Sequence, residues 1–235
     1  GERRVALVPA SVGPLIKAKM QVLVETGAGD AAGYPDAAYA NAGCVVAAAR
    51  AEVLSRSDIL VQVRAIGANP DHWQDDASAM KPNTVVIGLM DPLGAAPALT
   101  EAANKGWTAF ALEMLPRITR AQSMDVLSSQ ANLAGYKAAL LAANASPKLF
   151  PMMMTAAGTI TPSRVFVLGA GVAGLQAIAT SRRLGAVVTA YDVRPAVREQ
   201  VESLGARFAE LNLDASDAQD SGGYAKALGP EFYAK

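Results

Sequence analysis

The chain has 235 residues, 51% hydrophobic and 18% charged, and its 21 basic and 21 acidic residues give a formal net charge of zero. That length holds one large or two ordinary domains with a substantial core, and the balanced charge argues against electrostatic binding of nucleic acid. Cys44 is the single cysteine, which excludes an intrachain disulfide, and no apolar run reaches membrane-spanning length.

Val5–Pro9 begins as a short apolar stretch. Apolar spacing at Val12, Leu15 and Ile16 predicts a helix over Ser11–Lys19. Gln21–Glu25 reads as a strand and Gly27-Ala-Gly29 as the turn after it. A short helix is expected over Asp36–Ala42, a strand over Cys44–Val46 and a helix near Ala49–Ser55. Asp58–Val63 and Thr84–Leu89 read as buried-type strands, the second after a Lys81-Pro82-Asn83 turn. Between them the only histidine, His72, sits in Asn69-Pro-Asp-His-Trp-Gln-Asp-Asp76 beside three acids. A metal site is conceivable there, but a solvated loop or helix start is the favoured reading. No Ser-His, Cys-His or multi-histidine constellation stands out. Ala96–Lys105 is expected to be helical and Trp107–Ala111 a strand. Strands alternating with helices imply an α/β domain with a parallel sheet.

Gln122 to about Asn144 is rich in alanine and leucine and carries no proline and one glycine, Gly135, so it reads as one long helix. Ser146-Pro147 ends it, and Phe150–Gly158 leads into a second domain. Met152, Met153 and Met154 are expected to be packing residues, with a substrate-facing role as the alternative.

Arg164-Val-Phe-Val-Leu-Gly-Ala-Gly-Val-Ala-Gly174 then places a G-x-G-x-x-G turn after an apolar strand and before an apolar helix. Ala186–Asp192 returns as a strand, and its terminal carboxylate lies 18 residues past Gly174 (192 − 174). This context is the fingerprint of a dinucleotide-binding βαβ unit. Gly169 allows a tight turn, Gly171 lets a pyrophosphate approach the backbone, and Gly174 lets the helix pack closely. The helix N-terminus offers free N–H groups to the phosphates, and Val172 within the turn is counted with the glycines as a cofactor-binding residue. Asp192 would accept hydrogen bonds from the adenosine ribose diol and repel a 2′-phosphate, favouring NAD(H) over NADP(H). Arg194 complicates this, because an arginine just past the strand can hold a 2′-phosphate.

The expected architecture is α/β, with two Rossmann-like parallel-sheet domains joined by a long helix. It assigns residues 1–121 to an N-terminal α/β domain, 122–147 to the connecting helix and 148–235 to the dinucleotide domain. A cleft between the domains is the expected place for the cofactor. Only 72 residues run from Arg164 to Lys235 (235 − 164 + 1), short for a complete doubly wound domain, so the chain reads as a fragment.

Glu2-Arg-Arg-Val-Ala-Leu-Val-Pro9, Val24-Glu-Thr-Gly-Ala-Gly29, Ala32-Gly-Tyr-Pro-Asp36, Tyr39 and Ala42-Gly43 resemble the amino-terminal domain shared by alanine dehydrogenase and the proton-translocating nicotinamide nucleotide transhydrogenase. Leu168–Ala177 fits both families. Alanine dehydrogenases carry a lysine in the strand that here reads Ile59-Leu-Val-Gln-Val-Arg64, and a histidine where this chain reads Gly88-Leu-Met-Asp-Pro92. Neither is present: Gln62 and Arg64 flank the first position. Arg117-Ile-Thr-Arg-Ala-Gln-Ser-Met-Asp125, Val126–Gln130, Phe150–Gly158 and Tyr191-Asp-Val-Arg194 are similar to the transhydrogenase, as is Gly222-Gly-Tyr-Ala-Lys226.

The resemblance implies the NAD(H)-binding component of a Re/Si-specific, proton-translocating NAD(P)+ transhydrogenase, acting as a homodimer. It implies hydride transfer to NADP(H) held on a partner domain, coupled to a membrane-spanning proton-channel partner. The implied location is peripheral, on the cytoplasmic face of a bacterial inner membrane or in the mitochondrial matrix. It further implies an Arg117–Asp125 ion pair beside the nicotinamide and Gln122 reaching toward the second nucleotide. Ser128 would bond the carboxamide, with Ser123 and Met124 along the same edge. Asp192, Val193 and Arg194 would lie at the ribose, and Gly223 at the adenine side. Hydride transfer between two nicotinamides needs no protein acid or base, so the protein supplies orientation and electrostatics. An alanine dehydrogenase-like enzyme and a non-catalytic NAD(H)-binding regulator remain open alternatives. So does a plainly structural role for Arg117, Asp125, Gln122 and Ser128, as a helix-start salt bridge or solvated side chains.

Overall fold

A computed structural model describes residues 2–210. The chain divides into two compact units, Gly1–Met124 and Asp125–Lys235. In the first, α1 (Gly13–Lys17) precedes β1 (Leu23–Glu25), α2 (Asp36–Asn41), β2 (Val45–Ala47) and α3 (Arg50–Arg56). Then come β3 (Ile59–Arg64), α4 (Trp73–Ala79), β4 (Val85–Leu89), α5 (Ala96–Asn104) and β5 (Thr108–Ala111). β1 and β2 pair in parallel, with Val24 opposite Val46. β3, β4 and β5 form a second parallel sheet in that order. The parallel α/β expectation is therefore realised, and the strand positions agree to within a residue or two.

Two clusters hold this unit together. Val12, Val22, Val24, Tyr39 and Cys44 pack around the β1–β2 sheet, and Val86, Met90, Ala98, Ala102 and Trp107 around β4 and β5. Buried Tyr39 donates from its hydroxyl to the Leu7 carbonyl at 2.8 Å, so its one polar atom is satisfied. Gly29 makes room for it: a Cβ there would lie 2.6 Å from the Tyr39 ring. Asp36 accepts from the Thr26 hydroxyl at 2.6 Å and the Gly27 N–H at 2.8 Å, bonds that hold its carboxyl below the usual range. The motif residues between Val24 and Tyr39 are thus fold pins. Burial pushes the Cys44 thiol up.

α4 begins just after His72 and carries Asp76 inward. Asp76 takes two bonds from Arg50, at 2.6 and 2.7 Å, and one from the Gln62 amide at 3.1 Å. One of the three acids beside the histidine is therefore already committed. Among the described residues no group of three or more His, Cys, Asp or Glu side chains could hold a metal.

The second unit opens with α6 (Val126–Ala145), then a hairpin of β6 (Met153–Thr155) and β7 (Gly158–Ile160). β8 (Arg164–Leu168), α7 (Val172–Arg183), β9 (Val187–Tyr191), α8 (Arg198–Ser203) and β10 (Arg207–Phe208) follow. The parallel sheet runs β10-β9-β8. Ile178, Val188, Ala190, Val201 and Phe150 form its core.

Three expectations need correction. The long helix does not include Gln122: residues Thr119–Met124 form a 3-10 segment, and α6 starts at Val126. Asp125 sets that boundary, with non-helical ψ of 88° and a side chain that accepts from the Ser128 N–H, the arrangement of a helix N-cap. The hairpin at 153–160 has no counterpart in the sequence pattern, because its strands are too short to show alternation. Met152, Met153 and Met154 fill no core; they are 57%, 46% and 72% exposed.

Candidate functional site

The glycine turn sits at the carboxyl end of β8, where parallel α/β sheets place their ligands. Gly169 has φ +88° and donates its N–H to the Tyr191 carbonyl at 2.8 Å, which joins the turn to β9. A side chain is disfavoured at that φ. Gly171 is the N-cap of α7, with no side-chain cap and nothing within 4 Å of where a Cβ would stand. Open space above an uncapped helix start suits an anion. Gly174 serves packing: a Cβ there would lie 1.8 Å from the Gly169 carbonyl oxygen. Val172, the first helical residue, is 43% exposed.

Asp192 lies just past β9 and is buried. Its Oδ2 accepts from the Ala170 N–H at 2.7 Å, tying the strand end to the glycine turn. Arg194 binds the same carboxylate through its backbone N–H and its guanidinium. Burial alone would raise the Asp192 carboxyl, but the bonds from Arg194 and Ala170 outweigh it and hold the group below its ordinary value. Val193 between them is half-buried. Gly169, Gly171, Val172, Gly174, Asp192, Val193 and Arg194 are thus gathered at one end of one sheet.

At the start of α6, Asp125 accepts from the Ser128 N–H at 2.9 Å and from its hydroxyl at 2.7 Å. The two residues form a capped helix end whether or not they also meet a ligand. α6 crosses α7 close to the glycine turn. A Cβ on Gly135 would lie 2.0 Å from the carbonyl oxygen of Ala173, in the first turn of α7. The lone glycine of the long helix is therefore a contact point. Gly135 lies seven positions after Ser128, about 10 Å along the axis. Arg117, Gln122, Ser123 and Met124 are exposed residues at the end of the first unit. Gly223 lies outside the described residues.

Glu113 is a residue that sequence reasoning did not single out. It follows β5, and its Oε1 accepts from the Met90 and Asp91 N–H groups, both at 2.7 Å. Its Oε2 is buried without a partner among the described residues. Asp91 has φ +50° and Ile66 φ +45°, so the carboxyl ends of β3 and β4 carry backbone strain. A lone glutamate after a short strand gives no sequence signal of this. In β3, the Gln62 amide donates to Asp76 and the Arg64 guanidinium to the Ala68 carbonyl at 2.6 Å.

The chain matches two family descriptions in succession. "Alanine dehydrogenase/PNT, N-terminal domain" covers residues 1–134 and "Alanine dehydrogenase/PNT, C-terminal domain" residues 138–226. It is 46% identical to the first of the alpha-subunit polypeptides of the Rhodospirillum rubrum NAD(P) transhydrogenase, over all of this chain and 61% of that protein. It is 28% identical to the alanine dehydrogenase of Bacillus subtilis, over 86% of this chain and 52% of that one. Its fold superimposes on the crystal structure of transhydrogenase from Sinorhizobium meliloti with a TM-score of 0.83 and 51% identity, covering 89% of this chain and 60% of the other. The chain therefore spans less than two thirds of these relatives' length. With both domains matched in order along its length, the chain belongs to the alanine dehydrogenase/PNT family.

Proposed function

We propose that the protein is the NAD(H)-binding component of a proton-translocating transhydrogenase. The observation that carries this reading is the joint at Gly135. It packs α6 against the first turn of α7, with Ser128 about 10 Å and Asp125 about 15 Å away toward the start of α6. An extended dinucleotide with its pyrophosphate at Gly171 has its nicotinamide half on that length scale. The relatives named NAD(P) transhydrogenase support the same assignment.

The nicotinamide, when bound, supplies the hydride chemistry. Gly171 and the first turn of α7 hold the pyrophosphate through backbone N–H groups. Asp192 takes the adenosine ribose, and Val193 and Arg194 border it. Ser128 orients the carboxamide. Arg117 and Asp125 fix the electrostatics beside the ring, and Gln122, Ser123 and Met124 present it to the NADP(H)-binding partner domain. No residue is required to exchange a proton with substrate carbon.

Proton coupling is assigned to a membrane-spanning partner on the strength of the family resemblance; among the described residues no helix is long and apolar enough to cross a membrane. The reading includes a homodimer, Re/Si specificity and a peripheral position at the inner membrane or in the mitochondrial matrix.

Fluorescence titration should show NADH binding and little NADPH binding. Adding an NADP(H)-loaded partner domain should give direct hydride transfer. Gln122→Asn should slow that transfer with little loss of NADH affinity, because it acts on geometry. An unchanged rate would refute the role of Gln122. Robust turnover of pyruvate and ammonia with NADH would instead assign an alanine dehydrogenase. Binding without transfer would assign a nucleotide-binding regulator.

A further inference from the structure

Asp192 is only 6% exposed, although ribose recognition requires both its oxygens to meet a ligand. Four donors already occupy it. Oδ1 accepts from the Arg194 backbone N–H and from Nε, both at 2.9 Å. Oδ2 accepts from the Ala170 N–H at 2.7 Å and from Arg194 Nη2 at 2.9 Å. A carboxylate offers about four acceptor positions, so Asp192 is saturated. Two of the donors are backbone groups that hold the carboxylate to the glycine turn and to the chain after β9. The other two belong to one guanidinium, whose side chain is 12% exposed. Withdrawing it frees one position on each oxygen, the number and placement that a vicinal diol needs.

We infer that Arg194 is a latch on the ribose site: its guanidinium closes Asp192 in the free protein, and the adenosine ribose diol of NAD(H) must displace it. This rests on the dinucleotide reading of the glycine turn and deepens it. Opening the latch breaks a bidentate, charge-assisted pair. The loss is made good only by a ligand that returns two donors to the two vacated positions. The 2′,3′-diol does so. A 2′-phosphorylated ribose brings one hydroxyl fewer and sets its negative charge against the uncovered carboxylate. The uncovered carboxylate therefore makes the choice between the two nucleotides, and Arg194 sets how often it is uncovered, a role unlike that of an arginine that holds a 2′-phosphate at this position. A closed form that cannot bind also lowers apparent affinity by the fraction of molecules that are open.

The test is stopped-flow binding of NADH and NADPH to the 235-residue chain, with Arg194→Met and Arg194→Lys beside it. Methionine keeps an apolar stem and removes every donor. Lysine keeps the charge but cannot bridge both oxygens. For the unaltered chain the observed NADH rate should level off with concentration, at the latch-opening rate. For Arg194→Met it should rise linearly, with NADH affinity increased by about tenfold and the preference for NADH over NADPH unchanged. Arg194→Lys should fall between. A linear rate for the unaltered chain, or weaker NADH binding by both variants with unchanged thermal melts, overturns the latch while the NAD(H) site stands. NADPH binding that is lost on removing Arg194 overturns it in favour of a 2′-phosphate holder. Failure of all three proteins to bind NADH, both as this chain and in versions extended at both ends, overturns the dinucleotide reading, and the latch with it.

Discussion

Replacing Gly174 by alanine should destabilise the second unit, whereas replacing Gly171 should leave its folding intact and remove nucleotide binding. At Gly174 the new Cβ would stand 1.8 Å from the Gly169 carbonyl oxygen, whereas ordinary contact starts near 3.4 Å. The first turn of α7 would have to retreat by about 1.6 Å, the difference between those distances. Forcing extra volume into a packed contact costs about 1–3 kcal/mol. Alanine returns at most about 1 kcal/mol through its better helix propensity. From the middle of that range the net loss is about 1 kcal/mol, or about 0.5 M in urea midpoint for a slope near 2 kcal/mol/M. At Gly171 a Cβ meets nothing within 4 Å, and φ is −75°. Folding should change by less than about 0.5 kcal/mol. The methyl group would fill the space above the helix start, so NADH affinity should fall by about tenfold or more, ~1.4 kcal/mol. Far-UV circular dichroism in urea and NADH titration read the two effects separately. Both tryptophans, Trp73 and Trp107, lie in the first unit and report its unfolding independently. An unshifted midpoint for Gly174→Ala would refute the packing argument. Unchanged NADH binding by Gly171→Ala would refute the phosphate approach.

Asp125→Ala should cost about 1 kcal/mol through loss of the α6 cap, while Asp125→Asn should retain most of it, as thermal melts would show. Asp192 has a folded-state pKa below its ordinary 3.8. Its stabilisation is therefore complete above that value and is lost as pH falls through the folded pKa. Acid unfolding of Asp192→Asn should accordingly be less steep below about pH 4 than that of the unaltered chain. Asp76→Ala removes the acceptor of the Gln62 amide and leaves Arg50 its pair with Glu25 at 3.2 Å. Because the Arg50 side chain is 45% exposed, the cost should be about 1–2 kcal/mol and not the larger penalty of a fully buried pair. Tryptophan fluorescence in urea would measure it.

The strands were legible because a parallel sheet buries short apolar runs: Asp58–Val63 was expected and Ile59–Arg64 is found. The glycine turn was legible because each glycine answers a local demand of the backbone. What the sequence hid depends on partners distant in the chain. Nothing local distinguishes Gly135 from a tolerated helix glycine; its meaning lies in Ala173. Arg194 could be placed near the ribose end, but its grip on Asp192 is a side-chain arrangement that spacing does not encode. The helix boundary moved from Gln122 to Val126 because Asp125, read as a charge, acts as a cap. Glu113 became visible only when its strand end met that of β4.

Cys44, the single cysteine, is 8% exposed, and its thiol is kept protonated by burial. A protonated, enclosed thiol is a poor nucleophile, so at neutral pH the natural chain should be silent toward maleimides and disulfide reagents. These 235 residues are in effect their own cysteine-free background. A cysteine placed at exposed Gln74 on α4 and another at exposed Lys137 on α6 would each take a dye or spin label without protecting chemistry. The separation of the two labels, with and without NADH, would then be a spectroscopic ruler reading.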